Sequence, residues 1–173
     1  MKLWLFIRDL TSDQDIDLCL PMTEEKLKEK LKNGHEYIIL DNDFSDAEIS
    51  LNISEHENIQ EINSFLNECQ ENLIDNDIIV IVNRNTSDFE EMKSVIENNS
   101  YIMVSPADVS WDVDMTSDYD KGLLLFSCGF VNLPFTYEPE MENYIRWDGI
   151  WTDASCSGWV HERTANGDYL VKM

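Results

Sequence analysis

The chain has 173 residues, with 35 acidic and 12 basic side chains and a formal net charge of −23. An excess of that size repels nucleic acid and anionic membrane, which argues against either as a direct partner. It does not describe a disordered acidic tail, because 43% of the residues are hydrophobic and 10% aromatic, and solvated acidic segments are poor in both.

Residues 2–8 are nearly all apolar and read as a strand. The run Leu3 to Ile7 stops at Arg8-Asp9, too short for a signal peptide or a membrane span. Asp15 to Leu20 alternates with a period of about two, as a half-buried strand does, and Pro21 breaks it. Thr23 then caps a short helix with Glu24 and Glu25 in its first turn, Leu27 and Leu31 inward and Gly34 at its end. Lys26, Lys28, Lys30 and Lys32, its outer face, form the chain's basic cluster. Tyr37–Leu40 and the alternating Ile49–Ile53 are read as further strands.

From Asn58 the period becomes helical, with Ile59, Ile62, Phe65, Leu66, Cys69 and Leu73 on one face. The β-branched run Ile78–Val82 is read as a strand, and Ser87-Asp88-Phe89-Glu90 as a capping box opening a helix with Phe89, Met92 and Ile96 inward. Residues 107–121 are polar, and the apolar run 123–126 leads to a helix end at Cys128-Gly129. Pro134 and Pro139 bracket a loop, Glu140–Trp147 reads as helical, and the C-terminus as a hairpin around Asn166-Gly167. The expected architecture is α+β: an elongated chain of two or three small modules of antiparallel strands and short helices. The boundaries fall at residues 1–57, 58–104 (mainly helical) and 105–173.

Signs of enzyme chemistry are weak. His35, His56 and His161 are isolated, and there is no His-Glu-x-x-His, no Gly-x-Ser-x-Gly and no phosphate-cradling glycine loop. Asp13-x-Asp15-x-Asp17 with Glu24 echoes a calcium loop, but Leu18 stands where that loop needs Gly and Pro21 lies inside it. Strand alternation with the acids outward explains the same residues better. Cys19, Cys69, Cys128 and Cys156 form no Cys-x-x-Cys pair and are expected to be free buried thiols of a cytoplasmic protein. The chain is therefore expected to be non-enzymatic, without cofactor or metal.

The charge itself is the functional signal. Between Asn33 and Asn83 stand twelve carboxylates and no Lys or Arg, among them Asp41, Asp43, Asp46, Glu48, Glu55 and Glu57. Rows are expected at Glu61, Glu68 and Glu71, at Asp112, Asp114, Asp118 and Asp120, and at Glu138, Glu140 and Glu142. Duplex DNA carries one charge per ~1.7 Å of axis, and a folded protein with carboxylates in rows can occupy a groove shaped to that array.

Leu20-Pro21, Glu24 to Lys30 and His35 to Asp41 resemble the first module of the ArdA antirestriction proteins. Ile53-Ser54-Glu55 with Ile59 to Asn63 resembles the segment opening the second. Asp118-Tyr119-Asp120-x-Gly122 and Met141 to Ile145 resemble the third, including its antirestriction motif. The resemblance is densest over residues 20–66 and 140–153. It implies a DNA mimic that fills the DNA groove of type I restriction-modification enzymes and protects incoming mobile DNA, often as a homodimer through the third module. The implied dimer contacts are Tyr144, Ile145, Trp147 and Trp151. Where that motif continues with acidic and Tyr-rich residues, this chain has Arg146 to Trp151; Asp148 and Asp153 keep acids there, while Arg146 reverses one charge. An anti-CRISPR or other nuclease inhibitor and a toxin-immunity protein are the alternatives.

Overall fold

A computed structural model describes residues 1–45 and 49–173. The fold is α+β, with two three-stranded antiparallel sheets, and it divides into two compact units, Met1–Asn99 and Ser100–Met173. Among the described residues no helix is long and apolar enough to cross a membrane.

In the first unit β1 (Lys2–Asp9) is the centre of a sheet ordered β2 (Gln14–Leu20), β1, β3 (Tyr37–Ser45). Leu3, Leu5 and Ile7 of β1 face the core beside Leu18 and Leu20 of β2, with Ile39 and Phe44 from β3. Trp4, Phe6 and Arg8 point the other way. The expectation of strands over 2–8 and 15–20 holds. β3 runs further than Leu40 because a bulge at Leu40 restores its register: Phe6 lies opposite Asp41 and Ile7 opposite Ile39. Thr23 caps α1 (Glu24–Lys30) as expected, and Leu27 and Leu31 are its buried stripe.

Asn58 caps α2 (Ile59–Glu71), whose inner face carries Ile62, Phe65, Leu66 and Cys69. The helical face does not extend to Leu73, which lies past the helix end in a left-handed conformation and is 89% exposed. Residues 78–82 are not a strand. They lie within α3 (Asn76–Asn85), capped by Asp75, whose side chain accepts from the Asp77 N–H. Ile79 to Asn83 are all buried, so a helix surrounded by its own unit can be apolar on most sides, and burial overrides β-branched propensity. α4 (Phe89–Glu97) follows, with Phe89, Met92 and Ile96 inward. Its cap is Asp88 rather than Ser87; Ser87 instead donates its N–H to Glu91.

Ile49 to Ile53 forms no ladder strand, only a single bridge from Phe44 to Ile49. Leu51 is nevertheless buried, and the Asn42 side chain stands in for a strand partner: it accepts from the Leu51 N–H at 2.7 Å and donates to the Leu51 carbonyl at 3.1 Å. Asn63 treats Met22 the same way, at 2.8 and 2.9 Å. Asn83 accepts from Asn52 N–H and donates to Ser50 O. Three buried asparagines thus tie irregular segments to the core, where unpaired backbone groups would be costly.

One contiguous core runs from Leu3 to Ile96. The boundary expected at residue 57 therefore separates no cores, and three modules become two units. The second boundary falls at 99/100 rather than 104/105, because β4 (Ile102–Val104) joins the second sheet in the order β4, β6 (Asp168–Lys172), β5 (Trp159–Arg163). The β5–β6 hairpin forms as expected. α5 (Asp118–Ser127) ends before Cys128 and Gly129, the latter at φ +80°. Glu140–Trp147 is not one helix: residues Pro139–Tyr144 are a 3₁₀ segment and α6 (Trp147–Cys156) starts afterwards. α5 and α6 meet at Gly122, where a Cβ would overlap the Trp147 carbonyl. Of the cysteines, only Cys69 is buried; Cys19 and Cys128 are half-buried and Cys156 is exposed.

Candidate protein-binding surface

The outer face of the first sheet follows from strand alternation. Arg8, Phe6 and Trp4 of β1 lie opposite Asp15, Asp17 and Cys19 of β2. Across the other side Phe6 and Trp4 lie opposite Asp41 and Asp43 of β3. Trp4 is 40% and Phe6 38% exposed, and the four aspartates are exposed too. At one end of this face the Arg8 guanidinium grips Asp15 with a fork at 2.7 and 3.1 Å, which holds the Asp15 carboxyl below its usual range.

On α2, Glu61, Glu68 and Glu71 are all exposed and fall on one side of the helix, spread over about 15 Å of axis at ~1.5 Å per residue. Glu68 accepts from the Ser64 hydroxyl at 3.4 Å. In the loop before α2, Glu55 is exposed beside His56 at 3.1 Å, and half-buried Glu57 accepts from Ser54 at 3.3 Å. Asp46 and Glu48 lie outside the described residues. The lysines of α1 answer its own electrostatics: Lys28 pairs with Glu24 at 3.1 Å, and Lys28 and Lys30 sit in the last turn, at the negative helix end.

The row at Asp112–Asp120 in the second unit is partly committed to holding its own loop. Asp114 accepts the Thr116 hydroxyl at 2.6 Å and the Thr116 N–H at 2.9 Å, which lower its pKa. Asp120 accepts the Asp114 N–H at 2.8 Å, and Asp118 pairs with Lys121 at 2.8 Å. Glu138 and Glu140 are exposed, while Glu142 is half-buried and accepts from the Tyr137 hydroxyl at 3.3 Å. Arg146 pairs with Asp148 at 3.1 Å and so removes one of the acids expected here from the free set; Asp153 is exposed.

The four implied dimer contacts separate into two kinds. Tyr144 is 88% exposed and Ile145 half-buried. Trp147 is fully buried, packs against Phe126 at 5.1 Å and donates its indole N–H to Glu142 O. Trp151 is buried, with Lys121 Nζ 5.0 Å from its ring centre. One turn apart on α6, both tryptophans are core residues of the second unit and cannot reach a partner.

Trp4 and Phe6 are surface residues of this sheet face that the sequence reading missed. A nearly continuous apolar run looks like a strand buried on both sides; the signal that one face is open was the alternating acids of both neighbouring strands.

The histidines sit in acid pairs. Asp9 Oδ2 lies 2.7 Å from His35 Nδ1 and accepts the Ser12 hydroxyl at 2.6 Å. A nucleophilic triad needs the imidazole between hydroxyl and carboxylate; here the carboxylate is in the middle, an arrangement that holds a turn. His161 shares Asp168 with Arg163. Among the described residues no three His, Cys, Asp or Glu side chains converge as metal ligands would. The chain matches no protein-family model, and no curated protein matches it.

Proposed function

We propose that this chain is a non-enzymatic DNA mimic of the ArdA type, an antirestriction protein that fills the DNA groove of type I restriction-modification enzymes. The observation that carries the reading is the placement of the carboxylates: Asp41, Asp43, Glu61, Glu68, Glu71, Glu138 and Glu140 stand exposed on folded elements or their flanking loops, in a chain of formal net charge −23. Fixed carboxylates on a packed scaffold present charge without the ordering cost that a floppy acidic tail would incur on binding. Basic grooves built for phosphate arrays attract such a surface at long range. A homodimer of this protein would use Tyr144 and its exposed surroundings rather than the buried tryptophans.

The test is competition. A purified type I methyltransferase is incubated with labelled duplex DNA at low salt and titrated with the protein. Displacement of the DNA, weakening steeply as salt is raised, is expected. Absence of any competition at low salt would sink the reading. Because the charge is spread over many sites, no single Asp→Asn change should abolish displacement; one that did would point to a specific pocket instead.

A further inference from the structure

The open face of the first sheet combines two features that an acidic solvated surface does not need together. Trp4 and Phe6 stand side by side on the central strand, both well exposed. Carboxylates flank them across the strands: Asp17 and Asp41 on either side of Phe6, and Asp43 beside Trp4. Neighbouring strands are ~4.8 Å apart, so each ring lies within reach of a group bound to an adjacent carboxylate. None of these three aspartates is in an ion pair among the described residues. The same face already holds one guanidinium, that of Arg8, in a two-point fork with Asp15.

We propose that this face is a docking platform for an arginine-bearing segment of a protein partner, with guanidinium groups stacked on Trp4 and Phe6 and held by Asp17, Asp41 and Asp43. Charge complementarity selects this occupant. Aromatic platforms for single-stranded nucleic acid lie in basic grooves; here the rims are acidic and repel phosphate. A second copy of the chain presents the same acids, with 23 acidic against 8 basic side chains in Met1–Asn99, and anionic lipid is repelled likewise. Arginine fits better than lysine because its planar, weakly hydrated guanidinium stacks on a ring and forks to a carboxylate at once. The inference rests on the reading of a basic protein partner and adds a place where contact is made by stacking as well as by charge.

The experiment uses the full isotope-labelled chain titrated with oligo-arginine and with oligo-lysine of equal length, following the Trp4 indole N–H by NMR. A saturable shift of that resonance is expected, with arginine bound roughly 3- to 10-fold more tightly than lysine. The double change Trp4→Ala and Phe6→Ala, its affinities read from the backbone amides of β1 and β3 and by calorimetry, should bring the arginine affinity down to that of lysine. Trp4→Leu with Phe6→Leu, which keeps apolar bulk in the strand but removes the ring faces, should do the same and guards against misfolding. Equal affinity for the two peptides, or shifts confined to the helical carboxylate rows with the Trp4 indole unmoved, would overturn the platform. The two proposals fail separately. A chain that bound oligo-arginine through Trp4 but did not displace DNA from the methyltransferase would leave the platform standing and sink the mimic. If oligo-arginine left the Trp4 indole of the unaltered chain unmoved, while that chain and the variant without both rings displaced DNA equally well, the reverse would hold.

Discussion

Asn42 shows how much one side chain can settle. It is buried, and both ends of its amide satisfy the backbone of Leu51. Asn42→Ala strands one N–H and one carbonyl, which costs about 1–3 kcal/mol. Urea unfolding should show a lower midpoint with an unchanged slope, and a loss under about 0.5 kcal/mol would contradict this role. Asp9 acts through charge. Burial pushes its pKa up, but the Ser12 hydroxyl, the His35 ring and the N–H groups of Thr11 and Ser12 outweigh that and hold it well below the usual carboxylate range. A carboxyl depressed in the folded state stabilises above its unfolded pKa of ~3.9 and loses that contribution as pH falls below it. Wild type should therefore lose stability more steeply than Asp9→Asn between about pH 4 and pH 2. Parallel curves for the two proteins would refute the assignment.

Among the elements, α5 and α6 depend on a single missing side chain. Gly→Ala inside an exposed helix stabilises by up to ~1 kcal/mol. At Gly122 the sign reverses, because the added methyl meets the Trp147 carbonyl and forces the helices apart, a cost of about 1–3 kcal/mol or more. Thermal unfolding of Gly122→Ala followed by tryptophan fluorescence should show a lower midpoint; a variant as stable as wild type would mean that the helices do not approach so closely. β1 illustrates the opposite case, an element whose existence was legible and whose environment was not. Its apolar run specifies a strand, yet only one of its faces meets the core.

For the molecule as a whole, the division into two units changes what should fold alone. The core of Met1–Asn99 is filled from both sides of residue 57: Phe65 and Phe89 meet edge-on at 5.5 Å within the same cluster as Leu3 and Leu5 of the sheet. A fragment of residues 1–99 should give a dispersed amide spectrum and cooperative unfolding, whereas residues 1–57 should give the narrow spectrum of an unfolded chain. A folded 1–57 fragment would restore the three-module division.

The sequence by itself determined the elements whose period and caps agree, such as α2 behind Asn58, α4 with its inward Phe89, Met92 and Ile96, and the terminal hairpin, because those signals act within a few residues. It also determined that the acids of α2 face outward, since the same periodicity that buries Ile62 and Leu66 exposes Glu61 and Glu68. Only the tertiary structure decided that Ile78–Val82 is a helix, that Trp147 and Trp151 are core while Trp4 and Phe6 are surface, and that asparagines close the loops. Each of these turns on what covers a face, and coverage comes from residues far away in the chain that no local pattern names.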